Sequence, residues 1–258
     1  MWSAVVAREL GIISGRETTR RIAQTLRTLP TLERHEDSGM FYNWYDPRTG
    51  EKLTTWPNDG STVHPFLSSV DNGWLATGLR IVVDEAPSLA DAARAVLDEM
   101  DFGYYYNPDE NQIRGGFWVD PPPGCSVPGN YRGGDTVHYT CHHYGAFNTE
   151  PRMASYLGIA ADQIPQRHYF GPFRTFHNEN CDYAWSEQRA VGRYETYLGE
   201  RVFEGAYTYA GKRLIPTWGG SMFEALMVPL FVPEEEWGPK SWAVNHPLYV
   251  EGQIEHGM

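Results

Sequence analysis

Apolar residues recur at helical spacing in several stretches of the chain, and those stretches set the first expectations. Ser14-Gly-Arg-Glu17 reads as a capping box, followed by Ile22, Leu26, Leu29 and Leu32 on one face. This predicts a helix from Ser14 to about His35, with Pro30 as a kink. Trp2 to Leu10 reads as the end of another helix, stopped by Gly11. Val70 to Val83 is apolar on most sides and predicts a buried helix, and Ser88-Leu-Ala-Asp91 opens an amphipathic one carrying Ala92, Val96, Leu97 and Met100. Shorter helices are predicted over Pro151–Leu157 (begun by Asn148 or Thr149 and ended by Gly158), Ser221–Met227 and Pro247–His256.

Long aromatic segments separate these helices. Phe41 to Leu53 reads as a hairpin turning at Asp46-Pro47 and Gly50, and Tyr104 to Trp118 as another turning at Asn107-Pro108. Residues 120–136, rich in Pro and Gly, read as loop, and no internal repeat is evident. Helix, long decorated connection, helix, short connection is the rhythm of a helical-hairpin toroid whose site lies at the long-loop end. No linker composition divides the 258 residues, so one domain, 1–258, is expected.

Composition narrows the function. Asp and Glu total 33 against 21 Lys and Arg, a formal charge of −12, which argues against nucleic acid and anionic membranes because both are bound through cationic side chains. A hydrophobic content of 41% excludes a disordered chain. The longest apolar run, Ala225 to Val232, is broken by Pro229, so no membrane span is expected. Arg8, Glu9, Arg16 and Glu17 interrupt any leader-like apolar region, leaving a cytoplasmic location as the default. Cys125, Cys141 and Cys181 show no C-x-x-C spacing, and one bridge, Cys125–Cys181 or Cys125–Cys141, stays open in an oxidising compartment.

Three acids stand out. Asp71 lies at the mouth of the Val70–Val83 helix, where it reads either as a cap or as a functional carboxylate, with Trp74 one turn on. Glu150 follows His142-His143-Tyr144-Gly145-Ala146-Phe147-Asn148-Thr149. It reads either as a dipole-stabilised partner of Arg152 or, shielded by Phe147 and Tyr144, as a general acid with a raised pKa. Glu224 follows Trp218-Gly-Gly and needs a partner if buried, for which Arg213 and His246 are candidates. His138, His142, His143 and Cys141 lack an H-E-x-x-H companion, so no metal is expected, and the phosphate-loop, dinucleotide and G-x-S-x-G spacings are absent. Acids at helix mouths amid Trp, Tyr, His and Asn match the makeup of sugar sites.

Gly39-Met-Phe-Tyr-Asn-Trp-Tyr-Asp46, Ser69-Val-Asp-Asn-Gly-Trp-Leu75, Asn148 to Tyr156, Trp218 to Met227 and Asn245-His-Pro-Leu248 together resemble the bacterial glucoamylase-like family, related to inverting endo-β-1,2-glucanases. The resemblance implies a mainly α, (α/α)6 toroid and a glycoside hydrolase acting on a glucan through two carboxylates, Glu150 as general acid and Asp71 activating water. It implies substrate contacts by Tyr42, Trp44, Asp46, Trp74, His142, His143, Asn148, Trp218, Glu224 and His246, with no cofactor. A non-catalytic glycan-binding protein is the alternative, and a polysaccharide lyase using Tyr or His is a third. About seven helices are countable where a toroid has twelve, so the expectation is an incomplete toroid lacking its C-terminal hairpins. Leu248, Tyr249, Val250 and Ile254 would then lie on an open edge suited to self-association.

Overall fold

The computed structural model describes residues 1–176 and 188–258. It opens with α1 (Trp2–Glu9) and α2 (Gly15–Thr28). Ser14 Oγ accepts the Glu17 N–H at 3.2 Å, so one half of the capping box forms. The Glu17 carboxylate turns outward to Arg20 and Arg21 instead of closing back on the cap. Helix α2 ends short of His35 because Pro30 has no N–H to continue it, and the chain tightens into a 3-10 turn over Leu29–Thr31.

Strand β1 (Phe66–Ser68) runs straight into α3 (Ser69–Glu85), and α4 (Ala90–Leu97) packs against α3. The face of α4 turned inward carries Ala93 and Val96, one residue round from the expected Ala92. A 3-10 turn, Phe102–Tyr105, leads into the hairpin β2 (Tyr106–Asn107) and β3 (Gln112–Ile113). Strands β4 (Gly116–Trp118), β5 (Ser126–Gly129) and β6 (Val137–Thr140) join β1 in an antiparallel sheet of order β1-β4-β6-β5. Helix α5 (Arg152–Ala160) crosses α3 so closely that a Cβ on Gly73 would lie 3.2 Å from that of Ala154. A second antiparallel sheet follows, β7 (Val191–Tyr197), β8 (Glu200–Tyr209) and β9 (Lys212–Leu214), and the chain closes with α6 (Met222–Leu226), α7 (Glu234–Trp237) and α8 (Trp242–Gly257).

This architecture is mixed α/β, which corrects the expectation of a mainly α toroid. Three sheets occupy the space assigned to loops, and α6 and α7 are only five and four residues long. The aromatic segments pair as strands, with Phe117 opposite Tyr139 and Tyr194 opposite Phe203. Strands of two to four residues, as in β1 to β6, are too short to show a period in sequence, whereas β7 and β8, seven and ten residues long, are mostly exposed and lack a continuous apolar face. The 120–136 stretch likewise contains β5, tied by a Cys125–Cys141 disulfide beside the Ser126–Thr140 pair. Cys181, the other candidate partner, lies outside the described residues.

Of the residues expected on an open edge, Ile254 is exposed and Leu248 and Val250 are partly buried. Helix α8 begins at Trp242, not Pro247, and packs on α6, α7 and β9. Tyr249 is buried, and Gly252 lies against Leu214 and Tyr209, so β9 covers the flank that a further helical hairpin was expected to cover. The main core lies between α2, α3, α4 and the first sheet, around Ile22, Leu26, Met40, Leu79, Val82, Tyr105 and Phe117. No helix among the described residues is long and apolar enough to cross a membrane.

Candidate active site

Asp71 is placed by the junction of β1 and α3. Ser68 caps α3, its Oγ accepting the Asp71 N–H at 3.2 Å. Ser69 is tied to the neighbouring strand connection, its N–H donating to Gly115 O at 3.0 Å and its Oγ to Arg114 O at 2.9 Å. These bonds fix the first turn, leaving the Asp71 carboxylate exposed while Asn43 Nδ2 donates to its Oδ2 at 2.9 Å. Asn43 Oδ1 accepts the Ser68 N–H at 3.0 Å, so one amide holds both the cap and the carboxylate.

Glu150 sits in the turn that enters α5, immediately before Pro151 and Arg152. Arg152 does not pair with it. All five guanidinium N–H groups are committed elsewhere. Nε and Nη2 grip the Glu234 carboxylate at 2.7 and 2.9 Å, Nη1 donates to Thr149 O at 2.8 Å and Glu224 O at 3.0 Å, and Nη2 donates to Ala225 O at 2.7 Å. Trp242 lies beneath the guanidinium at 4.9 Å, and Tyr156 O–H donates to Glu234 Oε1 at 2.7 Å. A single buried cation therefore clamps the peptide before Glu150 to the backbone of Glu224, and Glu150 is left without a cationic partner.

Glu224 reaches back across its own turn, and its Oε2 accepts the Gly219 N–H at 3.0 Å. The reversal needs Gly220 at φ +78°, a conformation that L side chains rarely adopt. Two buried amides hold the approach to this turn: Asn148 Nδ2 donates to Ile215 O at 3.1 Å, and Asn245 exchanges bonds of 2.7 and 3.3 Å with the same residue. Thr217 and Tyr249 hydroxyls meet at 2.9 Å below it. The expected partners of Glu224 lie elsewhere: Arg213 donates to Val191 O, and the His246 ring stands 3.4 Å from the Glu234 and Glu235 carboxylates.

The three acids share one electrostatic environment. The Glu150 carboxyl is raised above the ordinary range, first by burial and then by the negative charges of Glu224 and Asp71, with the Trp74 indole offsetting part of the effect. Its Oε2 is buried with no hydrogen-bond partner among the described residues. Tyr144 faces the same charges, and burial, Glu150 and Asp71 push its phenol up to about 12. Half-buried Trp74 lies against Phe231, ring centroids 5.5 Å apart. This arrangement favours the protonated form of Glu150 beside two further carboxyl groups, the direction that acid-assisted cleavage needs.

The remaining candidates divide. Trp218, 40% exposed, adjoins Gly219 and meets Phe176 edge-on at 6.5 Å. His142 is exposed and lies edge-on to Tyr144 at 5.7 Å, which puts it at the margin of the acid group. His143 turns away to Asn107, 2.9 Å from its Nε2. Burial lowers the pKa of both histidines. Tyr42 is buried under Lys52, whose Nζ stands 4.5 Å above the ring. Asp46 caps its own turn, taking N–H groups of Arg48 and Thr49 at 2.7 and 3.2 Å. His246 is buried against Trp242 and Glu234, away from the acids. Asn148 acts from beneath, through Ile215. Sequence reasoning missed Asn43 as a carboxylate holder and Gly219 as a donor, and their only signal was adjacency to Trp44 and Trp218.

Comparison with known proteins adds two findings. Residues 1–117 match a family model described as a protein of unknown function, DUF3131. The chain is also similar to the cyclic beta-(1,2)-glucan synthase NdvB of Rhizobium meliloti (strain 1021), at 25% identity over 211 residues. That match covers 81% of this chain and 6% of the synthase, so the chain spans a small part of its relative's length.

Proposed function

We propose that this protein acts on glycosidic bonds of a glucan, as a glycoside hydrolase with Glu150 as general acid. The observation that carries the reading is the partly buried Glu150 carboxyl, whose Oε2 has no hydrogen-bond partner among the described residues and whose pKa is raised by burial and by the charges of Glu224 and Asp71. The similarity to a glucan synthase supports a glucan as substrate, since synthesis and hydrolysis meet at the same bond.

In this mechanism Glu150 donates its proton to the leaving glycosidic oxygen while Asp71, exposed and held by Asn43, activates water on the opposite face of the sugar. Glu224 accepts a sugar hydroxyl with the oxygen that Gly219 leaves free. Trp74 and Trp218 offer aromatic faces to the ring being cleaved. Reducing-sugar release from a panel of glucans that includes β-1,2-glucan tests the proposal. Release by the wild type, lost by at least about a thousandfold in Glu150→Gln, is expected. Absence of release, or release untouched by that substitution, overturns it.

A further inference from the structure

The segment between Trp44 and Val63 contains a repeat that the sequence alone did not disclose. Trp44 O accepts the Leu53 N–H, the Asp46 N–H donates to Glu51 O and the Gly50 N–H to Asp46 O. Ten residues later the same three bonds recur, Val63 to Thr54, Trp56 to Ser61 and Gly60 to Trp56. Pro47 and Pro57 begin the two turns, and Gly50 and Gly60 end them at φ +77° and +72°. Two hairpin turns therefore stand in tandem. They bring Trp44 and Trp56 edge-to-face, 5.2 Å between ring centroids at 63°.

This pair is not core. Trp44 is 37% exposed, Trp56 is half-buried, and neither indole N–H donates to an acceptor among the described residues. Around them Thr54, Thr55, Asn58 and Thr62 are exposed hydroxyl and amide groups, with Pro57 also exposed and Asp59 accepting the Ser61 N–H and O–H. A protein-docking patch would bring aliphatic neighbours, whereas aromatic faces ringed by small hydrogen-bonding groups match the alternating C–H faces and hydroxyls of a sugar chain. The platform is also continuous with the acid site: Trp44 follows Asn43, whose amide lies 2.9 Å from Asp71.

We propose that Trp44 and Trp56 form a remote stacking platform for a neutral oligosaccharide, engaging units of a long glucan beyond those at the acids. This rests on the glucan reading above and extends it to chain length. Binding is the readout, so that catalysis and platform can fail separately. With a long linear β-1,2-glucan and its disaccharide as probes, Trp56→Ala and Trp44→Ala should each weaken binding of the long chain about tenfold. Disaccharide affinity should change less than about twofold, since the proposal assigns the platform to units beyond those held at the acids. Trp56→Phe, which keeps an aromatic face, should recover most of the long-chain affinity and controls for loss of fold. Wild-type binding of the long chain where no hydrolysis is found would sink the catalytic reading and leave the platform standing. Equal long-chain affinity in Trp56→Ala and wild type, no binding of the long chain at all, or a change only in self-association would overturn the platform.

Discussion

Arg152 and Glu234, 82 residues apart, form a two-point buried ion pair with 5% and 1% side-chain exposure. Its position explains much of the site. The same guanidinium holds Thr149 O and Glu224 O, so the charge needed to join two distant segments is spent on Glu234 and backbone rather than on the acid two residues away. Removing one partner strands a buried charge, and Arg152→Ala or Glu234→Gln should lower unfolding free energy by about 3–5 kcal/mol in urea titration. Loss below about 1 kcal/mol would show the pair is incidental.

Glu150→Gln should behave in the opposite way. The wild-type carboxylate is raised by burial and like charge, so ionising it costs native stability. For an acid whose folded pKa lies above its unfolded value, that cost is absent below the unfolded pKa, grows as pH rises toward the folded pKa and is constant above it. The variant should therefore be at least as stable as wild type at pH 7, the difference shrinking as pH falls through the folded pKa and vanishing below about pH 4. Thermal melts across that range check the sign.

Asp71 and Glu224 should separate by pH profile. Removing the Glu224 charge takes away one of the influences that raise Glu150, so the alkaline limb of kcat/KM in Glu224→Gln should move to lower pH. Asp71→Asn removes a smaller share of that field and, on the proposed mechanism, the water-activating group together, so it should depress kcat at every pH. A Glu224→Gln profile that keeps the wild-type limb would place Glu224 outside the working group.

Asn43→Ala should loosen Asp71 more than it unfolds the protein. It deletes the bonds to Asp71 Oδ2 and the Ser68 N–H, and a cost of about 1–2 kcal/mol is expected for the exposed and half-buried pair. Activity should fall by more than tenfold. Equal stability loss with full activity would assign Asn43 to structure alone.

The Cys125–Cys141 bridge closes a short loop with a sequence separation of 16. Cys125→Ser with Cys141→Ser should cost about 3 kcal/mol by the chain-entropy account and expose residues 120–136 to protease first. The thermal shift and cleavage pattern, with and without reductant, measure it. Such a bridge belongs where thiols are kept oxidised.

Local sequence was enough for some of this. The S-x-x-D start of α3, the Ser14 cap, the burial of Leu79 and Val82 and the turn carrying Glu150 all follow from interactions within four residues, and spacing reads those well. Asp71, Glu150 and Trp74 could be nominated as candidates for the same reason. The sheets were not, because β1, β4 and β6 are three or four residues long and exist only through each other's hydrogen bonds. Nor was the choice of partner for Arg152 legible: Glu150 stands two residues away, yet α5 turns the guanidinium toward Glu234 and the backbone of α6. Chemistry along the chain nominated the acids. Packing between segments more than 70 residues apart decided which of them would be left unpaired, because a buried cation with five donors satisfies them wherever the fold brings five acceptors together.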